Sequence, residues 1–149
     1  MMVIGITGGM ASGKTTVARM FTGRGIRHVD ADRLVHQLMQ KDQFTISALA
    51  NAFPEAVEGQ SISRSALAKI VSRDSSALVT LENILHPRVR MKEADAIIAA
   101  KRARSRAIIL DIPLLFETDA DDLCDVVIAV HAPMRQRRRR AFARPGMSD

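Results

Sequence analysis

Apolar and polar positions alternate between two regimes along this chain. It begins with Met2-Val3-Ile4-Gly5-Ile6-Thr7, an apolar and β-branched run that reads as a buried strand. Glycine-rich residues follow, and then apolar residues recur at helical spacing through Thr16-Val17-Ala18-Arg19-Met20-Phe21. This predicts a helix from Gly13 to about Thr22, stopped by Gly23 and Gly25. Ile26-Arg27-His28-Val29 predicts a short second strand that delivers Asp30-Ala31-Asp32 at its carboxyl end, and a helix from Arg33 to about Met39 comes next. Between Lys41 and Arg104 the pattern is helical throughout. Ile46, Leu49, Ala50 and Phe53 fit one face, Leu67, Ile70 and Val71 a second, and Leu78, Leu81, Ile84 and Leu85 a third. Ser63 and Asp74 suit N-caps, and Pro87 sits where a further helix could begin and run to about Ala103. Strand patterning then resumes in Ala107-Ile108-Ile109-Leu110, ending at Asp111, and again in Val126-Val127-Ile128-Ala129-Val130. A basic helix starts at Met134 and ends near Arg144-Pro145-Gly146.

Strands alternating with helices predict an α/β fold with a parallel sheet. At 149 residues and 47% apolar, the chain has the length and the apolar content for one domain with a real core. No run approaches the ~18 apolar residues of a membrane helix, and the N-terminus lacks the pattern of a signal peptide. The single cysteine, Cys124, lies in an apolar stretch and cannot form an internal disulfide, which fits a reducing cytoplasm.

Chemistry enters at the first loop. Gly8-Gly9-Met10-Ala11-Ser12-Gly13-Lys14-Thr15 is a complete G-x-x-x-x-G-K-[ST] motif, a P-loop, set between a strand and a helix as the motif requires. Its glycines let successive N–H groups face one anion, and the helix dipole points the same way. Gly8, Gly9, Ala11, Ser12, Gly13, Lys14, Thr15 and Thr16 are therefore the expected ATP-binding residues. Lys14 would reach the β- and γ-phosphates, and the Thr15 hydroxyl would ligate Mg²⁺.

Three carboxylates are candidates around it. Asp30 and Asp32, two apart, would share a face on a strand; a carboxylate there can take a hydroxyl proton or help hold Mg²⁺. The alternative is that they cap the second helix. Asp111 ends an apolar strand, as a Walker-B-type metal ligand does, or else it opens a surface loop. His86-Pro87-Arg88-Val89-Arg90 either binds an anionic substrate or forms a solvated helix terminus.

The net charge is +6, and residues 131–149 contribute +5 of it, with arginines at 135, 137, 138, 139, 140 and 144 against Asp149. A nucleic-acid binder can carry such a patch, but single-strand binders add aromatic platforms, and this chain has no Trp, no Tyr and five Phe. Lid arginines that stabilise a transferring phosphoryl group fit better. No guanine-reading Asn-Lys-x-Asp is present, which weakens a GTPase reading. The residues thus describe a P-loop kinase of a small molecule, with other P-loop kinases and a non-catalytic ATP- or nucleic-acid-binding module as the alternatives.

In combination, the motifs resemble the dephospho-coenzyme A kinases. The blocks are Ile6–Thr15; Val29–Asp32 with His36; Leu81–Pro87 with Arg90; Asp111-Ile112-Pro113-Leu114-Leu115-Phe116-Glu117; and, more weakly, Ala132-Pro133 with Gln136 and Arg139. They span almost the whole chain in the family's order. The resemblance implies a P-loop NTPase-type parallel sheet flanked by helices, in one domain. Its core would span 1–40 and 105–134, an all-helical coenzyme-A-binding insertion about 41–104, and an arginine-rich lid would start at about 135–149. It implies transfer of the ATP γ-phosphate to the ribose 3′-hydroxyl of dephospho-coenzyme A by a cytoplasmic monomer that needs no nucleic acid or membrane. On the family pattern Asp32 would be the base or the orienter of that hydroxyl, Lys14, Arg139 and Arg144 would assist catalysis, and Asp32, His86, Arg90, Pro113 and Leu114 would meet the acceptor. Thr15, Asp32 and Asp111 would attend Mg²⁺. Two departures stand out. Met10-Ala11 replaces the more usual Ile-Gly. The chain also resembles a member cut off inside the lid, so weak or absent activity is expected of it.

Overall fold

The computed structural model describes residues 1–113, 115 and 120–143. Elements follow in the order β1 (Met2–Thr7), α1 (Lys14–Thr22), β2 (Arg27–Asp30), α2 (Ala31–Lys41) and α3 (Gln43–Ala52). Then come β3 (Val57–Glu58), β4 (Ser61–Ile62), α4 (Arg64–Val71), α5 (Ser75–Arg102), β5 (Ala107–Asp111), β6 (Val126–Ala129) and α6 (Met134–Phe142). The chain divides into two units, one formed by Met1–Ala31 with Ala96–Asp149 and the other by Asp32–Asp95. Among the described residues no helix is long and apolar enough to cross a membrane.

The first unit is built on a four-stranded parallel sheet in the order β2-β5-β1-β6. The two central strands explain the uninterrupted apolar runs. β1 has Val3 to Ile6 buried and β5 is buried along its whole length, as strands covered on both faces must be. Ile4, Ile6, Ala107 and Ile109 pack with Ala18 of α1, and Val17, Phe21, Ile26 and Ile128 close around them. Register carries the chemistry: Asp111 pairs with Ile6 on one side and Asp30 on the other, at the carboxyl edge of the sheet. Ligands of open α/β sheets bind at that edge.

Gly5 sits inside β1, where glycine ordinarily weakens a strand. Space explains it. A β-carbon there would lie 2.8 Å from both Leu115 Cδ1 and Cys124 Sγ. Cys124 itself is half-buried.

The second unit is a helical body with a small hairpin. Leu49, Phe53, Ile62, Leu67 and Leu85 form its core, with Ile70, Val71, Leu81 and Ile84 against them. The three predicted helical faces are thus the faces that pack, apart from Leu78, which is exposed. Ser63 caps α4 through the Ala66 amide, 3.4 Å away. Asp74 accepts from the Ser76 amide at 2.8 Å. Asp42 caps α3 through Thr45 and accepts two bonds from Arg88, at 2.7 and 2.9 Å. The Thr45 hydroxyl and the Arg88 guanidinium hold its carboxyl down to about 2.

Two features depart from the sequence reading. β3 and β4 pair antiparallel, in a stretch too short to show alternation. Pro87 does not start a helix but lies inside α5, which runs for 28 residues. A proline removes one backbone donor and crowds the preceding turn. Leu85 before it is buried and Val89 after it is half-buried, so α5 is held by packing around the proline despite the local cost.

Glu93 of α5 is 2% exposed, and its Oε1 has no hydrogen-bond partner. Burial pushes its carboxyl up to about 7, although Arg90 pulls the other way. A raised acid makes folding less favourable as pH climbs from the unfolded value of 4.5 to about 7, because the unfolded chain gives up its proton first. Glu93→Gln is therefore expected to stabilise the protein by on the order of 2 kcal/mol at pH 8. The gain should be absent at pH 4, with urea unfolding at the two pH values as the measurement.

Candidate active site

The loop between β1 and α1 owes its shape to three left-handed residues. Gly8 has φ 151°, Ala11 φ 58° and Gly13 φ 108°. The Ser12 amide turns back to the Gly9 carbonyl at 3.1 Å, and Thr16 and Val17 donate to Gly13 to start the helix. Val130 N donates to Thr7 O at 2.8 Å and so fixes the loop's base against the end of β6.

What remains open fits a polyphosphate. The first amides of a helix have no intrahelical acceptor. Among the described residues those of Gly13, Lys14 and Thr15 have none elsewhere. Ser12 is 5% exposed, and its hydroxyl is a buried polar atom without a partner. Thr15 and Thr16 lie exposed in the first turn of α1. Several N–H donors, an orphan hydroxyl and the α1 dipole therefore converge in one short segment.

Lys14 Nζ lies 3.2 Å from Asp111 Oδ1, and His28 Nε2 lies 3.7 Å from Asp111 Oδ2. Asp111 is 6% exposed. It is thus not a surface carboxylate opening a loop, but a buried one tied to the P-loop lysine. Among the described residues no three or more His, Cys, Asp or Glu side chains come together as a metal cage. Mg²⁺ beside a nucleotide needs none, because phosphates and waters supply most of its six oxygens. Hard oxygen donors on Thr15 and Asp111 suit that ion.

The other predicted residues are placed as follows. Pro113 is exposed just past β5. Leu114 and Arg144 lie outside the described residues. Asp32, His86 and Arg90 belong to the second unit, all three exposed. Asp30 and Asp32 do not share a strand face, because the chain turns from strand to helix at Ala31. His86 and Arg90 are one turn apart on α5, not at a helix start.

The arginine run resolves into two faces. Arg137 Nε donates to Met10 O at 2.9 Å. Arg140 Nη1 donates to Ser12 O at 3.2 Å and Ala11 O at 3.4 Å. Arg139 lies exposed between them on α6. The family pattern singled out Arg139 and Arg144 from this run, not the Arg137 and Arg140 that hold the loop; the i, i+3 spacing of 137 and 140, which puts them on one face, was the available signal.

Glycine is required at Gly8 twice over. Its φ is hostile to L-residues, and a β-carbon would collide with the Val130 carbonyl, which is backbone and cannot swing away. At Gly9 a β-carbon meets only the Arg137 guanidinium, the end of a flexible side chain. Gly8→Ala is expected to weaken ATP binding by about 10- to 100-fold, measured by calorimetric titration.

Comparison with known proteins agrees with this geometry. A family model described as CoaE, dephospho-CoA kinase, matches residues 2–149. The dephospho-CoA kinase of Paramagnetospirillum magneticum is 42% identical over 148 residues, covering 99% of this chain and 70% of that protein. The dephospho-CoA kinase of Bartonella quintana is 40% identical, covering 100% of this chain and 76% of that one. Among solved structures, TT1252 from Thermus thermophilus superposes with a TM-score of 0.83 at 36% identity, over 99% of this chain and 74% of that one. The dephospho-CoA kinase from Campylobacter jejuni shares the fold, with a TM-score of 0.66 at 17% identity, over 93% of this chain and 92% of that one.

Proposed function

The chain belongs to the dephospho-CoA kinase family, and from that premise we propose how its residues move the γ-phosphoryl group of ATP to the ribose 3′-hydroxyl of dephospho-CoA. This reaction is the last step of coenzyme A synthesis. The observation that carries the reading is the P-loop with its open amides beside the Lys14–Asp111 pair at the sheet edge.

The amides of residues 13 to 15 and the Ser12 hydroxyl hold the phosphates of ATP. Lys14 supplies a positive charge to the β- and γ-phosphate oxygens, where negative charge shifts during transfer. Thr15 and Asp111, with Asp32 as a further carboxylate, would hold Mg²⁺, and the ion would supply neutralisation of phosphate charge. Asp32 accepts the proton of the 3′-hydroxyl as its oxygen bonds to the γ-phosphorus. The bond from that phosphorus to the β–γ bridging oxygen breaks, and ADP leaves with the electron pair. His86, Arg90, Pro113 and Leu114 position the acceptor, and the helices of about 41–104 form the body that holds it. Arg139 and Arg144 close on the transferring group from the lid. The setting is a cytoplasmic monomer with ATP and dephospho-CoA as its partners and no nucleic acid.

The test is mass spectrometry of the acceptor after incubation of the chain with Mg·ATP and dephospho-CoA, beside an Asp32→Asn control and a panel of other nucleoside and metabolite acceptors. One added phosphoryl group on dephospho-CoA, lost in the control, supports the reading. Phosphorylation of another panel member in preference to dephospho-CoA overturns it.

A further inference from the structure

A P-loop is usually considered from the side of its N–H groups. Here the opposite side is also engaged. Each peptide unit is planar and trans, so whatever holds its carbonyl also fixes where the next residue's N–H points. Arg137 holds the Met10 carbonyl, and hence orients the Ala11 amide. Arg140 holds the Ala11 and Ser12 carbonyls, and hence orients the amides of Ser12 and Gly13. Three consecutive peptide units of the loop are thus gripped by one face of α6.

The residue at the centre of this grip is the loop's least comfortable one. Ala11 has φ 58° and is buried. That conformation crowds the β-carbon of an L-residue against the neighbouring carbonyl and is free for glycine. Left to itself, a loop with alanine there would relax toward ordinary backbone angles and swing the adjoining peptide planes.

We propose that Arg137, with Arg140, is a positioning latch: it holds the carbonyl side of residues 10 to 12 so that a strained Ala11 keeps the loop amides aimed at the phosphates. The inference rests on the reading of this loop as the triphosphate site, and adds residues that act through the loop instead of on the substrate. It also gives the basic helix a role distinct from charge. Arg137 serves through the direction of its Nε–H bond, which a lysine cannot reproduce.

The experiment is a double-mutant cycle of Arg137→Ala and Ala11→Gly in the full chain. Two readouts are taken: hydrogen exchange of amides 9–13 without nucleotide, and the dissociation constant for Mg·ATP. The latch predicts that Arg137→Ala speeds exchange and weakens ATP by about tenfold when residue 11 is alanine, the strain of one left-handed residue. With glycine at 11 the loss should be no more than about twofold, since glycine carries no such strain. The global unfolding midpoint moves little, because Arg137 is only half-buried and its bond is to a loop rather than to the core. Equal losses in both backgrounds overturn the coupling. So does full recovery by Arg137→Lys, which would assign the effect to charge alone. A chain that shows the exchange pattern but binds no ATP keeps the latch and sinks the nucleotide reading.

Discussion

Lys14→Ala is expected to lower kcat for phosphoryl transfer by about 10²- to 10³-fold, the usual cost of removing one preorganised group aimed at developing charge. The structure adds a complication that a sequence motif would hide. Lys14 is also the partner, at 3.2 Å, of the buried Asp111. Removing it strands a carboxylate, which is costly in its own right, so the single variant should lose stability as well as turnover. The two losses separate in the double variant Lys14→Ala/Asp111→Asn. Stability, read from urea unfolding, returns toward the wild-type value because no unpaired charge remains. Turnover, read from ADP release, does not return, because neither the Lys14 charge nor the Asp111 carboxylate proposed for Mg²⁺ is present, and Asp111→Asn alone supplies the reference for the second loss. If turnover recovers with stability, Lys14 acts only as a structural counter-ion and its assigned role falls.

Asp32→Asn is expected to cost about 10²- to 10⁴-fold in kcat, the range of a general base, with a quite different profile. Asp32 is exposed in the first turn of α2. Its replacement by a residue of the same shape should leave stability within about 0.5 kcal/mol. ATP affinity should also hold, because the groups proposed to hold the phosphates lie in α1 and the loop before it. The measurement is kcat against pH beside an ATP titration. A fall in kcat at unchanged ATP affinity and unchanged KM for dephospho-CoA supports proton acceptance. A raised KM for dephospho-CoA at unchanged kcat would make Asp32 a binding residue instead.

Much of the first unit was legible because its signals are local. β1, the P-loop and α1 announce themselves within about twenty residues, and a fully buried strand such as β5 has no other good reading. The helical faces of the second unit were legible for the same reason: Leu49, Phe53, Leu67, Ile70, Ile84 and Leu85 recur with the helix and all pack into or against one core. What escaped was set by longer-range forces. Two-residue strands carry no period, so β3 and β4 left only Gly59, with φ 61°, as a trace of their turn. Pro87 obeyed the rule for helix starts and was overruled by packing on both sides.

The candidate site divides along the same line. The burial of Asp111 and its grip on Lys14 depend on strand register, which a sequence does not print. Arg137 and Arg140 share one face of a helix while Arg138 and Arg139 lie off it, and nothing local says which face meets the loop. Only the placement of α6 selects 137 and 140.

Gly5 has a reach beyond its own strand. The place where its side chain would stand is filled from two distant parts of the chain, by Leu115 just beyond β5 and Cys124 just before β6. Positions 5, 115 and 124 therefore share one fixed volume. Related sequences are free to redistribute that volume, a larger residue at one position answered by a smaller one at another, but not to enlarge it. Drift at the middle of the central strand is in this way tied to the segment that follows Asp111, and the three positions should change size together or not at all.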